Sequence, residues 1–137
     1  MKIRSFRDLD VWNLGKEIVV DIYNLTKQFP KEEIFCIVAQ LRRAAISIPS
    51  NIAEGFNRYQ NKEYRRFLFI SLSSCAELET QIEISSDLQF ISQDERRTVL
   101  EKIDHESRML TNLIKKLDNP TMQYEQRTTS NERRNNG

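Results

Sequence analysis

Turn-forming residues are scarce, with three glycines and three prolines in 137 residues. That is too few for the many tight turns of a β sandwich or barrel, and it implies long helices joined by short connections. Histidine is scarcer still: His105 stands alone, which removes most metal and triad constellations and the paired Glu-x-x-His units of a di-iron bundle. Gly15, Gly55 and Gly137 are isolated from one another, so there is no glycine loop to cradle a phosphate. No catalytic residue, metal site or cofactor is expected, and Glu77, Glu79 and Glu83 read as a solvated or paired helix face. No apolar run approaches the roughly 20 residues of a membrane span, and MKIRSFRDLD lacks the apolar core of a signal peptide. The expectation is a cytoplasmic protein with no membrane partner. Two cysteines, Cys36 and Cys75, lack CxxC spacing and read as buried free thiols. A charge excess is missing too: the formal net charge is +1 with 30% charged residues, so any nucleic-acid signal must be local.

What is present is helical periodicity. Val11, Leu14, Ile18, Ile22, Leu25 and Phe29 recur every three or four residues, the stripe of one helix face. Pro30 ends that helix, and Glu32 and Glu33 suit the positive end of the next. Its stripe is Ile34, Val38, Leu41, Ala45, Ile48, Ile52 and Phe56. A third helix opens near Asn61 and carries Tyr64, Leu68, Cys75, Leu78, Ile82 and Leu88, with a small-residue centre, ISLSSCAE, suited to close helix contact. Ser92 and Glu95 form a capping box for a fourth helix with Val99, Ile103, Leu110, Leu113 and Leu117. Short connections make neighbouring helices antiparallel, so the fold class is all-α: an up-down-up-down four-helix bundle over residues 1–117. The polar remainder, residues 118–137, has no apolar period and reads as a disordered tail.

Pro49 falls inside the second helix, yet the apolar step does not slip across it. One helix kinked at the proline is therefore expected, at a cost of about 3 kcal/mol for the lost hydrogen bond and the ring clash. Ser47 and Ser50 are candidates to satisfy the freed backbone. The opposite face carries Arg43, Ser47, Ser50 or Asn51, Glu54 and Arg58. A solvated face usually carries long Lys and Glu side chains, so small hydrogen-bonding residues beside a costly proline point instead to a subunit interface or recognition surface.

The stretch QLRRAAISIPSNIAEGFNR resembles the signature of the four-helix-bundle proteins of the S23, or 23S rRNA intervening-sequence, family. FRDLDVW, FPKEEIF and EYRRFLFISLSSCAELETQ extend the resemblance over roughly residues 5–117. It implies a left-handed bundle that assembles into a ring-like homopentamer. It also implies a kinship in fold with accessory subunits of diversity-generating retroelements, which contact nucleic acid and a reverse transcriptase. Neither branch is an established enzyme. Arg42, Arg43, Ser47, Pro49, Asn51, Glu54 and Gly55 occupy the signature positions.

Charge is unevenly spread. Residues 39–68 hold Arg42, Arg43, Arg58, Lys62, Arg65 and Arg66 against Glu54 and Glu63, a local net of +4, while residues 77–104 carry a net of −5. In an antiparallel bundle one end gathers Lys2, Arg4, Arg7, Arg58, Lys62, Arg65, Arg66, Lys115 and Lys116, and a ring turns that end into a basic rim. Tyr59 and Tyr64 lie among these charges as candidates to stack on bases. The expected function is noncatalytic binding of RNA or DNA by this rim. Two alternatives stand beside it. One is a merely solvated end, since lysines at a helix C-terminus suit the dipole and Glu63 with Arg66 suits a surface pair. The other is docking of a protein partner, as in an accessory subunit.

Overall fold

The computed structural model describes residues 3–118, which form four long helices and two short 3-10 turns. Helix α1 spans Asp10–Thr26, α2 Ile37–Phe56, α3 Asn61–Asp87 and α4 Gln93–Lys116. No strand occurs among the described residues. The expected tail lies, beyond Asp118, outside them, as does Lys2.

Antiparallel packing follows from which residues meet. Along α1 and α4 the pairs are Gln28 with Glu95 (2.8 Å) and Asp21 with Lys102 (2.7 Å). Along α3 and α4 they are Arg65 with Asp118 (2.9 Å) and Glu83 with Arg96 (2.8 Å). Between α2 and α3, Ser47 Oγ meets Ser74 Oγ at 2.8 Å, and Ser71 Oγ donates to the Ile48 carbonyl at 2.9 Å. In each case one residue number rises as the other falls.

The core takes one stripe from each helix. Ile18 and Ile22, Leu41, Ile48 and Ile52, Leu68, Leu78 and Ile82, and Ile103 and Leu110 are fully buried. Burial of each such side chain is worth about 1.5–3 kcal/mol. The capping box that opens α4 is formed, with Glu95 N donating to Ser92 Oγ (3.1 Å) and Ser92 N to Glu95 Oε1 (2.9 Å). The Ser92 N–H first, then the Gln28 amide, hold the Glu95 carboxyl below its ordinary pKa. At the other end of the connection, Gln89 adopts φ 63°. Gln89 N reaches the Ser86 carbonyl and Phe90 N the Ser85 carbonyl, both at 2.9 Å. This is the Schellman closure of α3, made with a residue that carries a Cβ where glycine is usual.

The second helix starts later than its sequence stripe. Lys31–Glu33 form a 3-10 turn, residues 34–36 a further turn, and α2 begins only at Ile37. Glu32 and Glu33 thus serve the first turn of the 3-10 helix rather than of α2. Ile34 leaves the stripe and is 49% exposed, while Val38, Leu41, Ala45, Ile48, Ile52 and Phe56 keep it and are buried. Cys36, expected inside, is exposed because it precedes the first helical turn; Cys75 is buried as expected. Leu88, beyond the last turn of α3, is also exposed.

α2 continues through Pro49 as one helix. Donors that gather around this turn come from Ser71, to the Ile48 carbonyl, and from Asn51 Nδ2, to the Ser47 carbonyl at 2.8 Å. The Ser47 hydroxyl is engaged instead with Ser74 and Asn51.

Candidate nucleic-acid interface

The end of α2, the start of α3, the end of α4 and the segment before α1 meet at one end of the bundle. Here the chain turns through residues 57–60 and brings Arg58, Lys62, Arg65 and Arg66 within three helical turns of sequence. Arg58 pairs with Glu54, Arg65 with Asp118 at 2.9 Å, and Arg66 with Glu63 at 3.2 Å. The guanidinium carbons of Arg58 and Arg66 both lie 4.9 Å from the Phe67 ring centre, and that of Arg65 lies 5.9 Å from Phe69. Phe67 and Phe69 were not marked by periodicity, because their role is to hold the guanidiniums rather than to fill the core. Lys62, Lys115 and Lys116 are exposed. Arg7 lies over Phe6 at 4.6 Å, close before α1.

The two tyrosines part company. Tyr59 is 58% exposed, whereas Tyr64 is 2% exposed and packs edge-on against Phe56 with ring centres 6.0 Å apart. Tyr64 faces Gly55, where an added Cβ would stand 3.0 Å from the Tyr64 ring and 2.7 Å from Phe67 Cβ. Stacking on a base is open to Tyr59 alone; Tyr64 is a core residue. Arg42 and Arg43 also separate from the rim. Arg42 lies fourteen helical residues, about 21 Å, before the end of α2 at Phe56, and Arg42 Nε donates to Thr26 Oγ1 at 3.1 Å with its guanidinium 4.5 Å over Tyr23. Arg43 donates to Gln40 at 2.8 Å. The +4 segment is therefore two groups of charge, not one patch.

The signature residues of α2 divide between inside and outside. Ser47 and Asn51 are half-buried and hydrogen-bonded at the contact with α3, and Gly55 admits Tyr64 and Phe67. Pro49 is half-buried facing Gly15, while Arg43, Ser50 and Glu54 are exposed.

Among the acidic residues, Glu83 pairs with Arg96 at 2.8 Å and Glu77 accepts from Gln81 at 3.2 Å. Burial, then the nearby Asp104 and Glu83 carboxylates, push the Glu79 carboxyl up. No group of three potential metal ligands exists among the described residues, and none of their helices is long and apolar enough to cross a membrane. One buried carboxyl belongs to none of the sequence motifs. Glu106 is 0% exposed and neither oxygen has a hydrogen-bond partner among the described residues. Burial raises its pKa to about 8, so it is held mainly protonated at neutral pH. Its signal was legible as a polar residue filling the register between Ile103 and Leu110.

Comparison with known proteins places the chain among helical bundles of this type. No curated protein sequence matches it. The fold is similar to the crystal structure of a protein of unknown function from the S23 ribosomal protein family of Bacteroides thetaiotaomicron. The TM-score is 0.72 at 24% identity, over 77% of this chain and 98% of that one. The family model described as 23S rRNA-intervening sequence protein matches residues 7–112, and the chain belongs to that family.

Proposed function

We propose that the chain is a noncatalytic, cytoplasmic, homo-oligomeric four-helix bundle, a ring of five as the resemblance implies, that binds RNA or other nucleic acid through its basic end. The observation that carries this reading is the convergence of Arg58, Lys62, Arg65 and Arg66 beside the exposed Tyr59 at one end of the bundle. The carboxylate partners of the three arginines do not cancel it. Exposed ion pairs are worth about 0–1 kcal/mol, so a phosphate competes for the guanidinium at small cost. Binding of this kind rests on phosphate charge and carries little sequence preference.

A second reading is a protein-binding scaffold, such as an accessory subunit for a nucleic-acid enzyme like a reverse transcriptase. What favours it is exposed apolar surface near the arginines, Tyr59, Phe69 and Ile70, which a polypeptide would bury and a phosphate backbone would not. Light scattering during size-exclusion chromatography, with absorbance at two wavelengths, tests the first reading. It expects an oligomer carrying salt-removable nucleic acid. A partner protein that stays bound after nuclease treatment favours the second.

A further inference from the structure

The most exposed large apolar side chain described is Phe35, at 92%, beside Ile34 at 49%. It does not project from a loose loop. Glu33 N donates to the Pro30 carbonyl (2.9 Å), Ile34 N to Lys31 (3.2 Å) and Cys36 N to Glu33 (3.0 Å), and these bonds fix the turn that presents it. Holding a phenyl ring in water in a set position is unfavourable for a lone chain, but it removes ordering cost from an association.

A matching depression lies elsewhere on the same chain. Phe6, Trp12, Val19, Ile46, Pro49 and Ala53 line a groove of about 350 Å³ between α1 and α2, with Lys16 at its edge, its Nζ 4.8 Å from the Trp12 ring centre. Pro49 at the groove wall removes an amide and narrows that side of α2 to a ring and small neighbours, Ser50 and Ala53. Phe35 cannot enter the groove of its own chain, because about 14 residues of mostly helical chain, roughly 20 Å, separate it from Pro49.

We infer that Phe35 of one copy seats in the α1–α2 groove of a second copy. This rests on the reading of the chain as a homo-oligomer and names the contact that builds it. Charge fits the pairing: the turn before Phe35 has two carboxylates, Glu32 and Glu33, against Lys31, and the groove is edged by Lys16. The segment after Asp118 is a poorer occupant, since Met122 and Tyr124 are its only large apolar residues. Knob and groove are different surfaces, so the contact is head-to-tail and repeats into a ring when the rotation closes.

Cys36, exposed and adjacent to Phe35, supplies a reporter, while Cys75 is buried, its thiol pushed up to about 12, and stays silent. With Ser50→Cys in the groove wall, mild oxidation should give an interchain ladder that needs both Cys36 and the new thiol. Phe35→Asp, at an exposed position, should keep the helical signal and raise the half-dissociation concentration at least about thirtyfold. Cys36–Cys36 dimers without the ladder, or an unchanged native mass for Phe35→Asp, would overturn the inference and leave the oligomer standing. A wild-type monomer at every concentration would remove both. A ladder absent from the full chain that appears only on deleting residues 119–137 would assign the groove to that segment and also overturn it.

Discussion

Glu106 of α4 takes the space that a side chain at position 15 of α1 would need: its Oε2 lies 2.7 Å from where a Cβ on Gly15 would stand. The same point is 3.3 Å from Ile48 Cγ2 and 3.6 Å from Pro49 Cβ. Three helices thus meet at this one point, the buried carboxyl of α4 on one side and the proline turn of α2 on another.

Gly15→Ala should destabilise the bundle. Alanine gains up to about 1 kcal/mol of helix propensity over glycine, against about 1–3 kcal/mol for overpacking. The net loss expected in urea unfolding is about 1 kcal/mol. Gly55→Ala should cost more, because its obstacles are Phe67 Cβ and the Tyr64 carbonyl at 3.1 Å, which cannot swing aside as a carboxyl can. Equal stability of the two variants would contradict this ordering.

Glu106 should also tilt the pH profile. Its folded pKa, about 8, lies above the ordinary 4.5, so the folded state holds the proton more tightly. This contribution is fully present below about pH 4.5 and is lost as pH rises to about 8, by up to roughly 1.4 kcal/mol per pH unit. Glu106→Gln should flatten that fall and stabilise the protein at pH 8. A variant with the wild-type slope between pH 5 and 8 would show that the carboxyl is not the titrating group.

Gln89→Gly should stabilise the chain by about 1 kcal/mol, since the left-handed conformation at φ 63° penalises a Cβ. Thermal unfolding measures it. A lower midpoint would mean that the Gln89 side chain contributes more than its backbone strain costs.

Much of this architecture was readable beforehand, and the failures have physical causes. Ser92 and Glu95 announced α4 because a capping box acts over three residues. The stripe from Val38 to Phe56 survived Pro49 because side-chain register depends on the helix as a whole, not on one amide. Ile34 was misplaced because a 3-10 turn and a helical first turn share the same acidic residues. Tyr64 belongs both to the apolar stripe of α3 and to a charged stretch of sequence; a helix sends adjacent residues to different faces, and its own faces Gly55, so the stripe and not the charged neighbours decides its place. Arg42 and Arg58 share a segment but not an end of the molecule. The Glu106–Gly15 contact involves helices far apart in sequence, and only the three-dimensional packing brings them together.

The most direct test of the nucleic-acid reading is titration of a fluorescent RNA with the wild type and with a variant carrying Ala at Arg58, Lys62, Arg65 and Arg66, at several salt concentrations. The wild type should bind with an affinity that falls steeply as salt rises. The variant should keep its native mass and lose binding at least about tenfold. Full-strength binding by the variant would contradict the account.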